Sequence, residues 1–124
     1  MKLKSILLAD SMFTSRSSLK RIIEEHGFTV VAETEDVQTT VERYAELHPD
    51  IIIVNSSLPN LNGYDILRVL ESSHPGLNAI IIYAAHNEME PKAIVAKQSK
   101  VYILSPFSLT KLPDVLNNFY TTID

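Results

Sequence analysis

Residues 49 to 55 read Pro-Asp-Ile-Ile-Ile-Val-Asn, and the apolar run from Ile51 to Val54 decides which fold this chain can adopt. All four residues of the run are β-branched, a pattern that favours an extended strand over a helix. A strand with one solvent-exposed face would alternate apolar and polar residues, and this run has no polar position. It therefore predicts a strand that is buried on both faces, at the centre of a parallel sheet.

Short β-branched runs and helical patterns alternate on both sides of this central strand. Four further strands are predicted at residues 5–9, 29–32, 79–83 and 101–104. Apolar residues at helical spacing predict helices around residues 19–23, 37–45, 66–70 and 109–123, and the proline at position 91 suits the first turn of another helix through residue 96. Five strands that alternate with five helices predict an open, doubly wound α/β sheet.

Composition limits the classes of protein to consider. The 124 residues, 45% of them hydrophobic, suit one domain spanning residues 1–124. The absence of cysteine excludes disulfides and thiolate metal sites and fits the cytoplasm. No apolar run approaches the roughly 20 residues of a membrane span. The net charge of −4 argues against direct nucleic-acid binding, which needs a basic face.

Ligands of doubly wound sheets bind beyond the carboxyl ends of the strands. The residues at these ends are Asp10, Ser11, Asn55, Ala84 and Ser105. Because parallel strands end at the same edge of the sheet, these residues form the candidate site.

The residues around these strand ends resemble the receiver domain of bacterial response regulators, as in chemotaxis regulators. The resemblance runs from about residue 4 to residue 120 and is carried by residues 6–11 (Ile-Leu-Leu-Ala-Asp-Ser), 49–55, 58–63 (Leu-Pro-Asn-Leu-Asn-Gly) and 102–107 (Tyr-Ile-Leu-Ser-Pro-Phe). It implies a flavodoxin-like three-layer sandwich with strand order 2-1-3-4-5. It also implies a role in two-component or phosphorelay signal transduction.

Four of the five positions that perform phosphotransfer in that family are altered here. The family has two acids after the first strand, a phosphoacceptor Asp after the third, Thr or Ser after the fourth and Lys after the fifth; this chain has Asp10 and Ser11, then Asn55, Ala84 and Ser105. A carboxamide is not a comparable nucleophile, and a serine supplies no cation. The resemblance therefore implies a pseudo-receiver, a phosphorylation-independent protein-interaction module that is not an enzyme.

Asp10 is the one carboxylate left at this site for Mg²⁺, which prefers octahedral oxygen ligation. We predict that Mg²⁺ binding is lost or very weak, and that Asp10 serves as a cap or hydrogen-bond acceptor near the first helix. The four histidines share no metal-ligand spacing with one another or with clustered acids; they are His26, His48, His74 and His86. No cofactor is expected.

The hydroxyl-rich stretch from Ser11 to Ser18 leaves an alternative function open. It opens the first helix, where free N–H groups and the helix dipole favour an anion, so a small phosphate-bearing ligand or nucleotide could bind there. Ordinary capping explains the same residues. No glycine lies between Ala9 and Arg16 to let the backbone approach a phosphate closely.

Receivers usually contact partners through their fourth helix, fifth strand and fifth helix. The resemblance places the switch and interaction residues Tyr102, Ile103 and Phe107 on that face. Gln98 and Ser99 replace a small Gly-Ala pair of the family, so the fourth helix is expected to be shortened or shifted. The small residue at position 84 predicts an inward ring at the aromatic switch position. A protein partner is predicted, and homodimerisation stays open.

Overall fold

The computed structural model describes residues 5–55, 63–83, 89–96 and 99–121, which form one sheet with helices on both of its faces. The elements are, in chain order, β1 (Ser5–Ala9), α1 (Phe13–Glu25), β2 (Thr29–Thr34), α2 (Val37–Leu47), β3 (Ile51–Asn55), α3 (Gly63–Ser73), β4 (Asn78–Ile82), β5 (Lys92–Ala96), β6 (Ser99–Leu104), a 3₁₀ helix (Pro106–Lys111) and α4 (Leu112–Thr121). The sheet order is β2-β1-β3-β4-β6-β5, and every neighbouring pair except β5 and β6 is parallel. The predicted doubly wound sheet is confirmed.

Strand β3 lies at the centre of the core. Residues 51–54 are all 0% exposed, as a run with no polar position requires. Because side chains alternate across a strand, Ile51 and Ile53 join one apolar cluster with residues of α1 and α4, whereas Ile52 and Val54 join a second with residues of α2 and α3. Burying each such side chain stabilises the fold by roughly 1.5 to 3 kcal/mol.

The segment predicted as the fourth helix is a strand, so that prediction was wrong. Strand β5 pairs antiparallel with β6, from Lys92 opposite Ile103 to Ala96 opposite Ser99. Two residues separate these strands in the sequence, a length that suits a hairpin and is far too short for a crossover helix. The described residues thus form six strands and four α-helices, not five of each.

A side-chain cap begins helix α2. The carboxylate of Asp36 accepts a hydrogen bond from the backbone N–H of Thr39 at 2.7 Å, which satisfies one of the free amides of the first turn. The backbone and side-chain hydrogen bonds from Thr39 hold the pKa of Asp36 below its ordinary value. The ionised form of this carboxyl is therefore the one that stabilises the helix start.

This cap predicts a pH dependence of stability. A carboxyl whose pKa is lowered on folding stabilises the protein above its unfolded pKa, and that contribution is lost as the pH falls through the folded pKa. We expect the wild type to lose more stability than Asp36→Asn as the pH falls from about 5 to about 3, because Asn caps without titrating. Thermal melts of both proteins measure this, and a pH-independent difference in Tm would contradict it.

Candidate functional site

The carboxyl ends of β1, β3 and β6 lie along one edge of the sheet. Asp10 directly follows β1 and Asn55 ends β3, and these two strands are neighbours. Ser105 follows β6, two strands further along the same edge. Ala84, the remaining strand-end residue of the sequence prediction, lies outside the described residues.

Asp10 is fully buried, and both of its carboxylate oxygens accept hydrogen bonds. Oδ1 accepts from the backbone N–H of Met12 at 2.9 Å. Oδ2 accepts from the side-chain amide of Asn55 at 3.4 Å, a long hydrogen bond that joins the ends of β1 and β3. Asp10 therefore acts as an acceptor at the start of α1, and Asn55 is positioned as a donor to it.

A buried arginine fixes the backbone beside this carboxylate. The Arg16 guanidinium donates to the carbonyl oxygen of Asp10 at 2.8 Å. It also forms ion pairs with Glu33 at 3.1 Å and Glu35 at 3.2 Å, and it lies over the Phe13 ring. These contacts tie α1 to the ends of β1 and β2. Sequence patterns placed Arg16 only at the start of a helix and did not predict these contacts.

The start of α1 already has an anionic group. Met12 is the N-cap residue and makes no side-chain cap, and its N–H is bound by the Asp10 carboxylate. Negative charge at a helix N-terminus is favourable, so Asp10 fills the role that a phosphate would take. A second anion in the stretch from Ser11 to Ser18 would be repelled by that carboxylate.

Ser105 is buried and begins the 3₁₀ helix. Its hydroxyl oxygen accepts from the backbone N–H of Phe107 at 3.1 Å, and its carbonyl accepts from the N–H of Ser108 at 3.0 Å. The side chain therefore caps the start of the 3₁₀ helix.

Comparison with known proteins identifies the fold family. Residues 6–117 match the family described as the response regulator receiver domain. The chain belongs to this family. Receiver domains are signalling modules of two-component systems and not enzymes, so the predicted family and the predicted lack of enzymatic activity are confirmed.

Relatives and solved structures agree with this assignment. The chemotaxis protein CheY of Thermotoga maritima is 28% identical over 114 residues, which cover 92% of this chain and 95% of that protein. A response regulator receiver domain protein from Clostridium thermocellum has a TM-score of 0.76 at 26% identity, over 94% of this chain and 93% of that one. The Borrelia burgdorferi CheX–CheY–BeF3–Mg complex has a TM-score of 0.76 at 18% identity, over 94% and 89%, and supports the fold alone. The flavodoxin-like fold is confirmed.

The partner face expected for a receiver domain differs here, because β5 stands where the fourth helix was predicted. The residues predicted for that face do not form one surface. Ile103 is buried, Phe107 is 86% exposed, and Tyr102 is half-buried with its ring edge against Phe119, the centroids 5.3 Å apart. Adjacent residues of a strand point to opposite faces, so Tyr102 and Ile103 cannot share a surface. The relation of Tyr102 to residue 84 lies outside the described residues.

Three aromatic residues form a second polar cluster, at the opposite edge of the sheet. His74 contacts both Tyr44 and His48 edge to face, at centroid distances of 5.0 and 5.9 Å. Burial and the charge of Asp50 raise the pKa of Tyr44. The sequence analysis missed this cluster. His48 and His74 each precede one of two neighbouring parallel strands, and the amino ends of such strands meet at the same side of the sheet.

No described residues form a group of three or more His, Cys, Asp or Glu that could hold a metal ion. His26 hydrogen bonds to the carbonyl of Ile22 through Nδ1, and His86 lies outside the described residues. No described helix is long and apolar enough to cross a membrane.

Proposed function

We propose that this receiver domain is a pseudo-receiver, a cytoplasmic protein-interaction module that signals without being phosphorylated. The proposal rests on Asn55, which ends β3 where the family carries its phosphoacceptor Asp. The amide of Asn55 is uncharged and poorly nucleophilic, so it cannot replace a carboxylate in attack on phosphorus. Its NH₂ group also donates to Asp10, an interaction that an acceptor-only carboxylate could not make.

Receiver domains normally bind Mg²⁺, and the residues at this site fit that ion poorly. Mg²⁺ demands near-octahedral oxygen ligands and leans on carboxylates and phosphate oxygens. Asp10 is the only acid among the candidate-site positions 10, 11, 55, 84 and 105; it is fully buried, and N–H donors bind both of its oxygens. Ser11 and Asn55 contribute neutral groups. We infer that Mg²⁺ binding is lost or very weak.

The charge that would stabilise a phosphoryl group is also missing. Phosphoryl transfer depends on positioning and on electrostatic stabilisation of the equatorial oxygens. Ser105 is neutral, and its hydroxyl is committed to the N–H of Phe107. Ala84 has no hydroxyl with which to contact a phosphoryl group. Nucleophile, metal ligand, cation and hydroxyl are thus all replaced, which supports a signal that does not depend on phosphorylation.

Exposed apolar side chains support a protein as the partner. Met12 and Phe13 lie just beyond Asp10, and Phe107 lies just beyond Ser105; all three are more than half exposed. Large apolar groups on a surface are typical of protein-binding sites. The repulsion between Asp10 and an incoming phosphate makes a small phosphate-bearing ligand the weaker alternative.

The test is direct modification. We expect acetyl phosphate, and beryllofluoride with Mg²⁺, to leave the intact mass and the Tm of the wild-type protein unchanged, because no group at position 55 can form the adduct. Mass spectrometry and thermal melts measure this. A mass gain of one phosphoryl group mapped to the strand-end site would overturn the proposal.

A reconstructed site provides the positive control. The quadruple variant Ser11→Asp, Asn55→Asp, Ala84→Thr and Ser105→Lys restores each group that the family uses, and it is expected to gain Mg²⁺-dependent modification. Failure of a folded quadruple variant under the same conditions would show that lost chemistry at these positions does not explain the inactivity.

A further inference from the structure

The two outermost strands of the sheet differ in how they are protected against pairing with another strand. Sheet order leaves β2 and β5 as the edge strands, and an edge strand offers unpaired N–H and C=O groups to any other strand. Strand β2 carries two features that discourage such pairing. Its register with β1 slips so that Val31 is an extra, bulged residue, and Glu33 holds a charge in ion pairs with Arg16 and Lys20.

Strand β5 has no comparable protection. Its register with β6 is regular over all five residues, without a bulge. Residues 93–96 read Ala-Ile-Val-Ala, with no charge and no proline inside the run; Pro91 and Lys92 precede it and Lys97 follows it. Within the described part of the chain, β6 is the one strand that pairs with it. No other strand of the described residues occupies the outer edge of β5.

We propose that the outer edge of β5 pairs antiparallel with β5 of a second copy of this chain, which joins two sheets across a two-fold axis. Pairing centred on Ile94 sets Lys92 opposite Ala96 of the second copy, and Ala93 opposite Val95. The Lys92 side chains of the two copies then lie at opposite ends of the paired strands. Parallel self-pairing would instead place them side by side, where like charges destabilise a sheet.

Symmetry favours this occupant over other pairings of the same edges. A β5–β5 contact uses one surface twice and closes at two copies, whereas β5 against β2 would leave free edges and grow without limit. The bulge at Val31 and the charge of Glu33 also oppose pairing at β2. The inference goes beyond the proposed function, because it holds whether or not phosphotransfer is lost.

The wild-type protein tests the interface without any substitution. Sedimentation velocity over a series of protein concentrations is expected to follow a monomer–dimer equilibrium, since two five-residue strands are small beside a standard interface of roughly 1,200 to 2,000 Å². Amide hydrogen exchange in β5 is expected to slow as the dimer forms, while exchange in β2, the matched control edge, stays unchanged. A monomer at every concentration, or slowing at β2 and not at β5, overturns the proposal.

Two variants at the same positions test the register. In Ala93→Lys/Val95→Lys, like charges face each other twice across the axis, whereas in Ala93→Lys/Val95→Glu opposite charges do. We expect the first variant to be monomeric where the wild type is dimeric, with dimer Kd values that differ by roughly tenfold or more between the variants. Equal Kd values in folded variants overturn the register. If either variant fails to fold, the exchange measurement on the wild type decides.

Discussion

The Phe119→Ala variant is expected to lose about 3 to 5 kcal/mol of unfolding free energy, enough to endanger a small domain. Phe119 is 1% exposed and packs between α4 and the sheet, in the same cluster as Leu19, Ile53 and Leu104. Truncating it removes buried apolar surface and leaves a cavity that a close-packed core fills only in part. The variant also loses an aromatic pair with Tyr102, worth roughly 0.5 to 1.5 kcal/mol beyond its buried area.

The same substitution tests what holds Tyr102 in place. Tyr102→Phe keeps the ring pair and is expected to cost under about 1 kcal/mol, so it serves as the matched control. Urea unfolding measures both losses, and NMR contacts between the ring of residue 102 and the core side chains packed against it report the rotamer. If this receiver domain is fixed in one state, partner affinity falls in Phe119→Ala and is kept in Tyr102→Phe. Comparable stability losses in the two variants would show that the ring pair is not part of a close-packed core.

Strands β1, β3 and β4 were predictable because each is determined by burial. A run such as 51–54, with no polar position, fits only the buried interior of a small domain. Its position between two helical patterns then predicts a strand of a parallel sheet. Strand β5 was not predictable in this way. Pro91 suits a helix start, and Ile94 and Val95 suit a strand, so local preferences conflict. Pairing with β6 decides between them, and that contact is not written in the local pattern.

The features of the candidate site also divide into those that the sequence predicts and those that tertiary contacts determine. Asn55 could be placed beside Asp10 from the sequence, because neighbouring parallel strands bring their carboxyl ends together. The bonds from Arg16 to Asp10 and Glu33 depend on how a long side chain crosses from α1 to β2. The capping role of Ser105 depends on one rotamer. Residue identity thus predicts which chemistry is absent, and tertiary contacts determine what the remaining side chains do.

Restoring the family's acid at position 55 alone is expected to destabilise this receiver domain. In Asn55→Asp, a second carboxylate replaces an amide nitrogen that lies 3.4 Å from Oδ2 of the fully buried Asp10. Two like charges then share a site where the sequence supplies no Lys, and a hydrogen-bond donor is lost. We expect a loss of about 1 to 3 kcal/mol of unfolding free energy at neutral pH without divalent ions.

The cause of this loss can be identified from the pH dependence of stability and from a variant in which the residues at positions 10 and 55 are exchanged. A carboxyl whose pKa is raised on folding contributes stability that is present below its unfolded pKa and is lost as the pH rises through its folded pKa. Asn55→Asp should therefore approach wild-type stability near about pH 4 and fall behind at neutral pH. The double variant Asp10→Asn/Asn55→Asp again has one carboxylate and one amide. Its amide at position 10 can accept from the N–H of Met12 while it donates to the carboxylate at position 55, so stability is expected to return. Denaturant unfolding of the three proteins measures this. If Asn55→Asp matches the wild type at neutral pH, the buried carboxylate and its amide donor are not the pair that holds the strand ends together.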